Sequence, residues 1–322
     1  MIALHWGVLG AGSVAQRRVI PTMQSLDGHG VSALMVRNMK RAQTIATQLN
    51  VPKAYDQVDA LIHDENVNAV YISSPVHLHC EHVLAVAKSG KHVLCEKPMG
   101  MTVSECEQMM DVCDEAGVHL QVCFVLRGWA IYHRIKKMIA DQAFGKIVEI
   151  RAHLAKWTPF DDGGWRLDPA QSGGGVLMDM GAHYLDLFRF LVDDFSQVSY
   201  MGSSDVFGWQ VEDTAFVTTR FKNGAHGVMG VSFAIPNNGN VLEIYGTKGS
   251  LFLGSGLRIV TEQGETNESV TFPDYFSGLL TNFGDCVNGM AEPIASGMDG
   301  LRNIEVIEAA YQSGREGRMI TL

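Results

Sequence analysis

Three groups of residues in this 322-residue chain have types and spacings suited to chemistry. Residues 91–98 read Lys-His-Val-Leu-Cys-Glu-Lys-Pro. His92–Cys95 is a short apolar run flanked by polar residues, the mark of a buried strand. Glu96, Lys97 and Pro98 follow at its carboxyl end, and Pro98 cannot donate to a ladder. At the end of a central parallel strand, Lys97 faces the crevice where such sheets bind ligands. The plainer reading of Glu-Lys-Pro in isolation is a solvated lysine at a strand end.

The second group is Gly10-Ala11-Gly12-Ser13-Val14-Ala15, which follows an apolar run at 4–9. This is G-x-G-x-x-A between a strand and a helix. Gly10 permits the tight turn, and Gly12 lets the backbone approach a pyrophosphate held by the N–H groups of the helix start at Ser13 and Val14. Ala15 keeps the helix close to the sheet. The third group is Asp179-Met180-Gly181-Ala182-His183-Tyr184-Leu185-Asp186, preceded by Gly173-Gly174-Gly175. On a helix Asp179 and His183 are i and i+4, one above the other, and Asp186 can orient the imidazole from i+3. Imidazole suits proton exchange near neutrality. The glycines allow a ligand or another backbone to come close to the helix start. A satisfied interior histidine in a domain-bridging helix fits the same pattern.

The elements that must position these residues follow from periodicity. Strands are expected at 4–9, 31–36, Ala69–Ile72, His92–Cys95 and 119–124, alternating with helices at 42–49, 58–63, 78–89 and Val103–Ala116. This alternation predicts a doubly wound parallel sheet of Rossmann type over 1–123. After a helix at 131–140 and a strand at 147–153 the pattern changes. A loop rich in Trp and Gly (161–166) and the amphipathic segment to Leu191 lead into strands and turns from 198 to 271. Helices at 276–288 and 300–316 close the chain. Residues 124–322 therefore read as an α+β domain with a mostly antiparallel open sheet, for substrate binding and oligomerisation.

The second strand ends Val36-Arg37-Asn38-Met39-Lys40-Arg41. An acid there would bond an adenosine ribose, whereas guanidinium pairs bidentately with a 2′-phosphate. The expected cofactor is thus NADP(H), with NAD(H) also possible. Alternatively this is a basic helix start facing solvent.

A formal charge of −10 argues against nucleic acid or an anionic membrane as partner. No apolar run reaches the roughly 20 residues needed to span a bilayer. The N-terminus enters a strand without a basic or apolar leader, so a cytoplasmic protein is expected. Its six cysteines form no C-x-x-C pair and read as reduced thiols, with no metal expected. Strands Thr214–Phe221 and 228–233 place apolar residues on both faces, which predicts a homo-oligomer, a homodimer through this sheet in the first instance.

Together these residues resemble the glucose–fructose oxidoreductase, inositol dehydrogenase and rhizopine-catabolism (Gfo/Idh/MocA) family over essentially the whole chain. Gly10-x-Gly12 resembles its nucleotide fingerprint. Ser73-Ser74-Pro75-Val76-x-x-His79 followed by Gly90-Lys91-His92-Val93-Leu94-Cys95-Glu96-Lys97-Pro98 is similar to its most specific signature. Gly173–Gly175 through Asp179-x-Gly181-x-His183-x-x-Asp186 resembles its catalytic helix. The resemblance implies that Lys97 is the catalytic lysine, Asp179 a substrate-binding carboxylate and His183 the proton-transferring residue. It implies cofactor contacts from Ser73, Ser74, Pro75, His79 and Glu96, and a cis peptide before Pro98. Trp165-Arg166 before the glycines looks most like the NADPH-using 1,5-anhydro-D-fructose reductases and dihydrodiol dehydrogenases, which makes both residues candidate substrate contacts. Val76 stands where relatives often carry Asn, so no polar cofactor contact is carried over there.

The implied activity is reversible hydride transfer between a nicotinamide and a secondary alcohol or ketone of a sugar, cyclic polyol or related small carbonyl compound. Two rivals remain: a dinucleotide-binding regulator of the same fold without the reaction, and an NAD-assisted glycoside-processing enzyme that oxidises transiently.

Overall fold

A computed structural model describes residues 2–160, 164–236, 240–271, 274 and 276–322. Asp161, Asp162 and Gly163 of the expected Trp/Gly-rich loop lie outside the described residues. The chain divides into two compact units, 1–128 with 274–304 and 129–273 with 305–322.

The first unit begins with β1 (Leu4–Leu9), a wide helical turn (Ala15–Val19) running into α1 (Ile20–Ser25), β2 (His29–Met35), α2 (Met39–Gln48) and β3 (Lys53–Tyr55). It continues with α3 (Val58–Ile62), β4 (Ala69–Ile72), α4 (His79–Lys88), β5 (His92–Cys95), α5 (Val103–Ala116) and β6 (Leu120–Val122). The strands pair in parallel in the order β3-β2-β1-β4-β5-β6. Ala69, Val70, Tyr71 and Ile72 are all buried, as expected of a strand covered on both faces. Pro21 accounts for the wide turn before α1. Its ring would collide with the carbonyl four residues back, and the Ile20 N–H bonds Ala15 O across five residues instead. Helix α5 is bounded by Thr102 accepting from Glu105 N and by Gly117 at φ +64°.

The second unit holds α6 (Ala130–Ala140), β7 (Ile147–Ala155), α7 (Pro169–Ser172), α8 (Ala182–Leu191), β8 (Phe195–Ser203), β9 (Thr214–Phe221) and β10 (His226–Ser232). Strands β11 (Val241–Gly246), β12 (Gly249–Leu253), β13 (Gly256–Thr261) and β14 (Gly264–Ser269) follow. The sheet order is β14-β13-β12-β11-β7-β10-β9-β8-β15, with β15 at Ile320–Thr321. Only the β7–β10 ladder among those described is parallel. In β9, Ala215, Val217, Thr219 and Phe221 are buried while Phe216, Thr218 and Arg220 are exposed, a strict period of two.

Helix α9 (Ser277–Val287) belongs to the first unit, and α10 (Gly297–Glu316) contributes to both. Phe276, Leu279, Leu280 and Phe283 share one core with Leu4, Trp6, Val8 and Ile20. The Phe283 ring lies 4.8 Å from that of Trp6. The expected boundary at 123/124 differs from this division at 124–128 and at 274–304, both of which fall in the first unit. No described helix is long and apolar enough to cross a membrane.

Candidate active site

The carboxyl ends of β1, β4 and β5 are neighbours in the first sheet, and the chain reverses its direction of winding between β1 and β4. Open parallel sheets form their ligand crevice at such a reversal. Gly10 leaves β1 at φ +90°, and a Cβ on it would sit 2.8 Å from Ser74 N, so a side chain is excluded by both conformation and space. Ser73 ties the two strand ends together, its N–H bonding Leu9 O at 2.8 Å and its hydroxyl donating to Gly10 O. On the other side of the turn, a Cβ on Gly12 would meet nothing within 4 Å. Ser13 and Val14 are exposed at the helix start, and Ala15 is buried. A tight turn closed on the protein side and open on the other is what a phosphate at a helix N-terminus requires.

Lys97 follows β5 and is half-buried, its N–H bonding Glu96 Oε2 at 3.1 Å. The Lys97–Pro98 peptide is cis, as the resemblance implies. Glu96 Oε1 accepts from the Tyr71 hydroxyl at 2.6 Å. Burial pushes the Glu96 carboxyl above its ordinary pKa, against the Tyr71 hydrogen bond and the Lys97 charge, which pull it down. Glu96 and Tyr71 thus brace the lysine turn from beneath.

His79, expected to contact the cofactor, sits between two turns of the chain. Its ring is buried, with Nδ1 3.0 Å from Pro98 O and Nε2 2.9 Å from Ser74 O. His79 thus lies between the serine turn and the lysine turn, its one ring N–H donating to one of these two carbonyls. Burial lowers its pKa although both carbonyls favour the protonated ring. Sequence reasoning missed His82, one turn further along α4, whose Nδ1 lies 2.9 Å from Ser74 Oγ. Burial, with the neighbouring His79 and His77, pushes it down to about 4.

A histidine whose folded pKa is depressed leaves the unfolded chain binding more protons between the two values. Stability should therefore rise with pH from about 4 to 6.5 and fall on acidification through that window, by about 3 kcal/mol from His82. Urea midpoints measured at pH 7 and pH 4 test this. His82→Gln should flatten the difference, and an unchanged pH dependence in that variant would show that His82 does not carry it.

At the end of β2 the Asn38 side chain caps α2, its Oδ1 accepting from Arg41 N at 2.9 Å. Arg37 and Arg41 are exposed, and among the described residues neither guanidinium is held by an ion pair.

In the second unit, Asp179 lies within a wide turn (Leu177–Gly181) that runs into α8, the Ala182 N–H bonding Leu177 O five residues back. The i, i+4 relation of Asp179 and His183 was expected on a helix; the segment instead opens with this wide turn and is α-helical from Ala182. His183 is the second residue of α8 and is half-buried, and Asp186 is buried. Arg166 Nε is 3.9 Å from Asp179 Oδ2, and the guanidinium lies 4.5 Å from the centre of the Trp165 ring and 6.0 Å from that of Phe160. Both side chains of the ion pair are over a third exposed, so the pair orients more than it stabilises. The Phe160 ring also meets that of Trp209 at a tilt and that of Phe233 edge-on, at 5.5 and 5.3 Å. These rings come from loops far apart in sequence, and no local spacing signals them.

Residues 4–124 match the family described as "Oxidoreductase family, NAD-binding Rossmann fold", and residues 132–252 match "GFO/IDH/MocA C-terminal domain". A 1,5-anhydro-D-fructose reductase of Ensifer adhaerens is 30% identical over 98% of this chain and 97% of its own. A D-xylose 1-dehydrogenase (NADP(+)) of Haloferax volcanii is 26% identical over 99% of this chain and all of its own. The crystal structure of an aldose-aldose oxidoreductase from Caulobacter crescentus, complexed with glycerol, superposes with a TM-score of 0.90 at 30% identity, covering 99% of both chains. With two domain matches in the expected order and likeness along the full length, this chain belongs to the GFO/IDH/MocA family of NAD(P)-dependent oxidoreductases.

Proposed function

We propose that the protein is an NADP(H)-preferring oxidoreductase acting on a secondary alcohol or ketone of a sugar, cyclic polyol or related small carbonyl compound. The observation that carries this reading is the junction of Gly10, Ser73, Ser74 and the Lys97 turn at the reversal of the parallel sheet. The open side of Gly12 and the helix start at Ser13 suit a dinucleotide pyrophosphate. Bound there, the nicotinamide supplies or accepts the hydride. Lys97 offers positive charge to the alkoxide that develops at the reacting carbon. His183 exchanges the hydroxyl proton. Asp179, oriented by Arg166, binds a substrate hydroxyl, and the Trp165 and Phe160 rings offer apolar faces for the C–H side of a sugar ring. The named activities of the relatives, an anhydrofructose reductase and a xylose dehydrogenase, support a carbohydrate substrate. The free cysteines suit a reducing cytoplasm. A screen of sugars and inositols with NADPH and NADH, read at the nicotinamide absorbance, tests this reading, and no turnover with any of them would overturn it.

The cofactor preference rests on Arg37, with Arg41 near it on α2. A charge-assisted bond to a 2′-phosphate contributes about 1.5–3 kcal/mol, equivalent to a ten- to hundredfold preference for NADP(H). Arg37→Asp should weaken NADP(H) binding by that factor and move the preference toward NAD(H). Calorimetric dissociation constants check it. Equal affinities for the two cofactors in the wild type would show that Arg37 points elsewhere.

A second copy of the chain is the proposed partner of the second unit's sheet. Met201, Phe216 and Val228 are 69%, 48% and 38% exposed. Met201 pairs with Phe216, and Val228 lies opposite Thr218, so these side chains line one face. Light scattering at micromolar concentration should return the mass of a dimer or higher oligomer, and a monomer mass would refute the assignment.

A further inference from the structure

The helix that carries Asp179 and His183 starts against a single residue. Gly175 N bonds Glu212 Oε2 at 3.0 Å, Leu177 N bonds Glu212 Oε1 at 3.0 Å, and Val176 N bonds Glu212 O at 3.0 Å. Three successive amides, the donors a helix start leaves without partners, thus end on one glutamate. The Tyr311 hydroxyl donates to the same Oε1 at 2.8 Å and holds the carboxylate from its far side. A Cβ on Gly175 would overlap the Glu212 main chain, and one on Gly174 would overlap the Tyr311 hydroxyl. Two of the three glycines therefore make room for this clamp, and Gly173 at φ +73° ends α7.

We infer that Glu212, seated by Tyr311, is a positioning residue for the proposed reaction. It fixes where the helix begins, and therefore where Asp179 and His183 point. The carboxylate is suited to this because its two oxygens accept from amides on either side of Val176, which no single neutral side chain does as well. Asp179 lies two residues beyond the last clamped amide, and its own N–H bonds Gly175 O at 3.0 Å. A shift of the clamp moves that first turn as a body. The inference rests on the roles proposed for Asp179 and His183.

Glu212→Gln keeps the shape but turns an NH2 group toward one of the two amides. A displacement of about 1 Å in a reacting group can cost up to about a hundredfold, so kcat is expected to fall at least about tenfold, with the KM for the alcohol raised. The dissociation constant for NADPH should stay unchanged. A merely structural role would reduce the active fraction and leave that KM alone. Hydrogen exchange at Gly175–Asp179 should quicken in the variant. Turnover and KM within about threefold of wild type would overturn the inference. His183→Ala in the same assays separates the two claims. Turnover lost in His183→Ala but kept in Glu212→Gln overturns the clamp. Turnover kept in His183→Ala but lost in Glu212→Gln, with KM raised, overturns the reading of His183 and leaves the clamp standing through Asp179. Should Glu212→Gln fold poorly, Tyr311→Phe removes only the supporting hydroxyl. It should show the same KM rise in milder form, and an unchanged KM there would overturn the inference.

Discussion

Lys97→Ala is expected to fold normally and to lose at least about a hundredfold in kcat, because removing one preorganised charge from a developing oxyanion costs about 10²–10³. The fold should survive. The Lys97 N–H to Glu96, the Tyr71–Glu96 bond and the His79 ring beside Pro98 O help to hold the turn, and alanine retains each of these. Cofactor affinity should change less than kcat, since the Gly10 and Gly12 turn does not depend on the lysine side chain. Thermal denaturation and single-turnover kinetics separate the two effects. Turnover within about threefold of wild type, a difference under about 1 kcal/mol, would end the assignment.

His183→Ala is expected to lower kcat/KM by about 10²–10⁴, the usual contribution of a positioned acid–base group. The wild-type rate should titrate with a group in the histidine range, and that inflection should be missing from the variant. The side chain is half-buried at the first turn of α8, so alanine should be tolerated there with little loss of stability. A variant whose kcat/KM matches wild type across pH would make His183 structural.

Most of the first unit was legible because its parallel strands are short apolar runs between turn residues. β1, β4 and β5 lie where the sequence places them, and so does α5. The short strands β3 and β15 went unseen. Each is two or three residues long, and a ladder partner rather than a local pattern defines it. The wide turn at Leu177–Gly181 was not legible either, since apolar periodicity does not distinguish a four-residue turn from a five-residue one over so short a span. The glycines at 173–175 announced a close approach, but not which residue approaches. Glu212 lies 37 positions from Gly175 and Tyr311 lies 99 from Glu212. His79 was visible as part of a signature, yet its contacts with two carbonyls emerge only when the turns are folded together. The core that α9 joins was hidden for the same reason: an amphipathic helix displays an apolar face without naming its partner.

That membership of α9 sets an order of events during synthesis. The first unit's strands leave the ribosome early, but its core includes Phe276, Leu279, Leu280 and Phe283. At about 5–20 residues per second, roughly ten to thirty seconds separate the emergence of β6 from that of Phe283. Throughout that interval Trp6 and its neighbours lack the rings that cover them, and the nascent N-terminal half presents an unfinished apolar surface. The part of the protein made first is thus among the last to be sealed, and the second unit's sheet has most of its strands to hand before its predecessor closes. A stop codon just after the first 124 residues would release a nucleotide-binding sheet with its core still open.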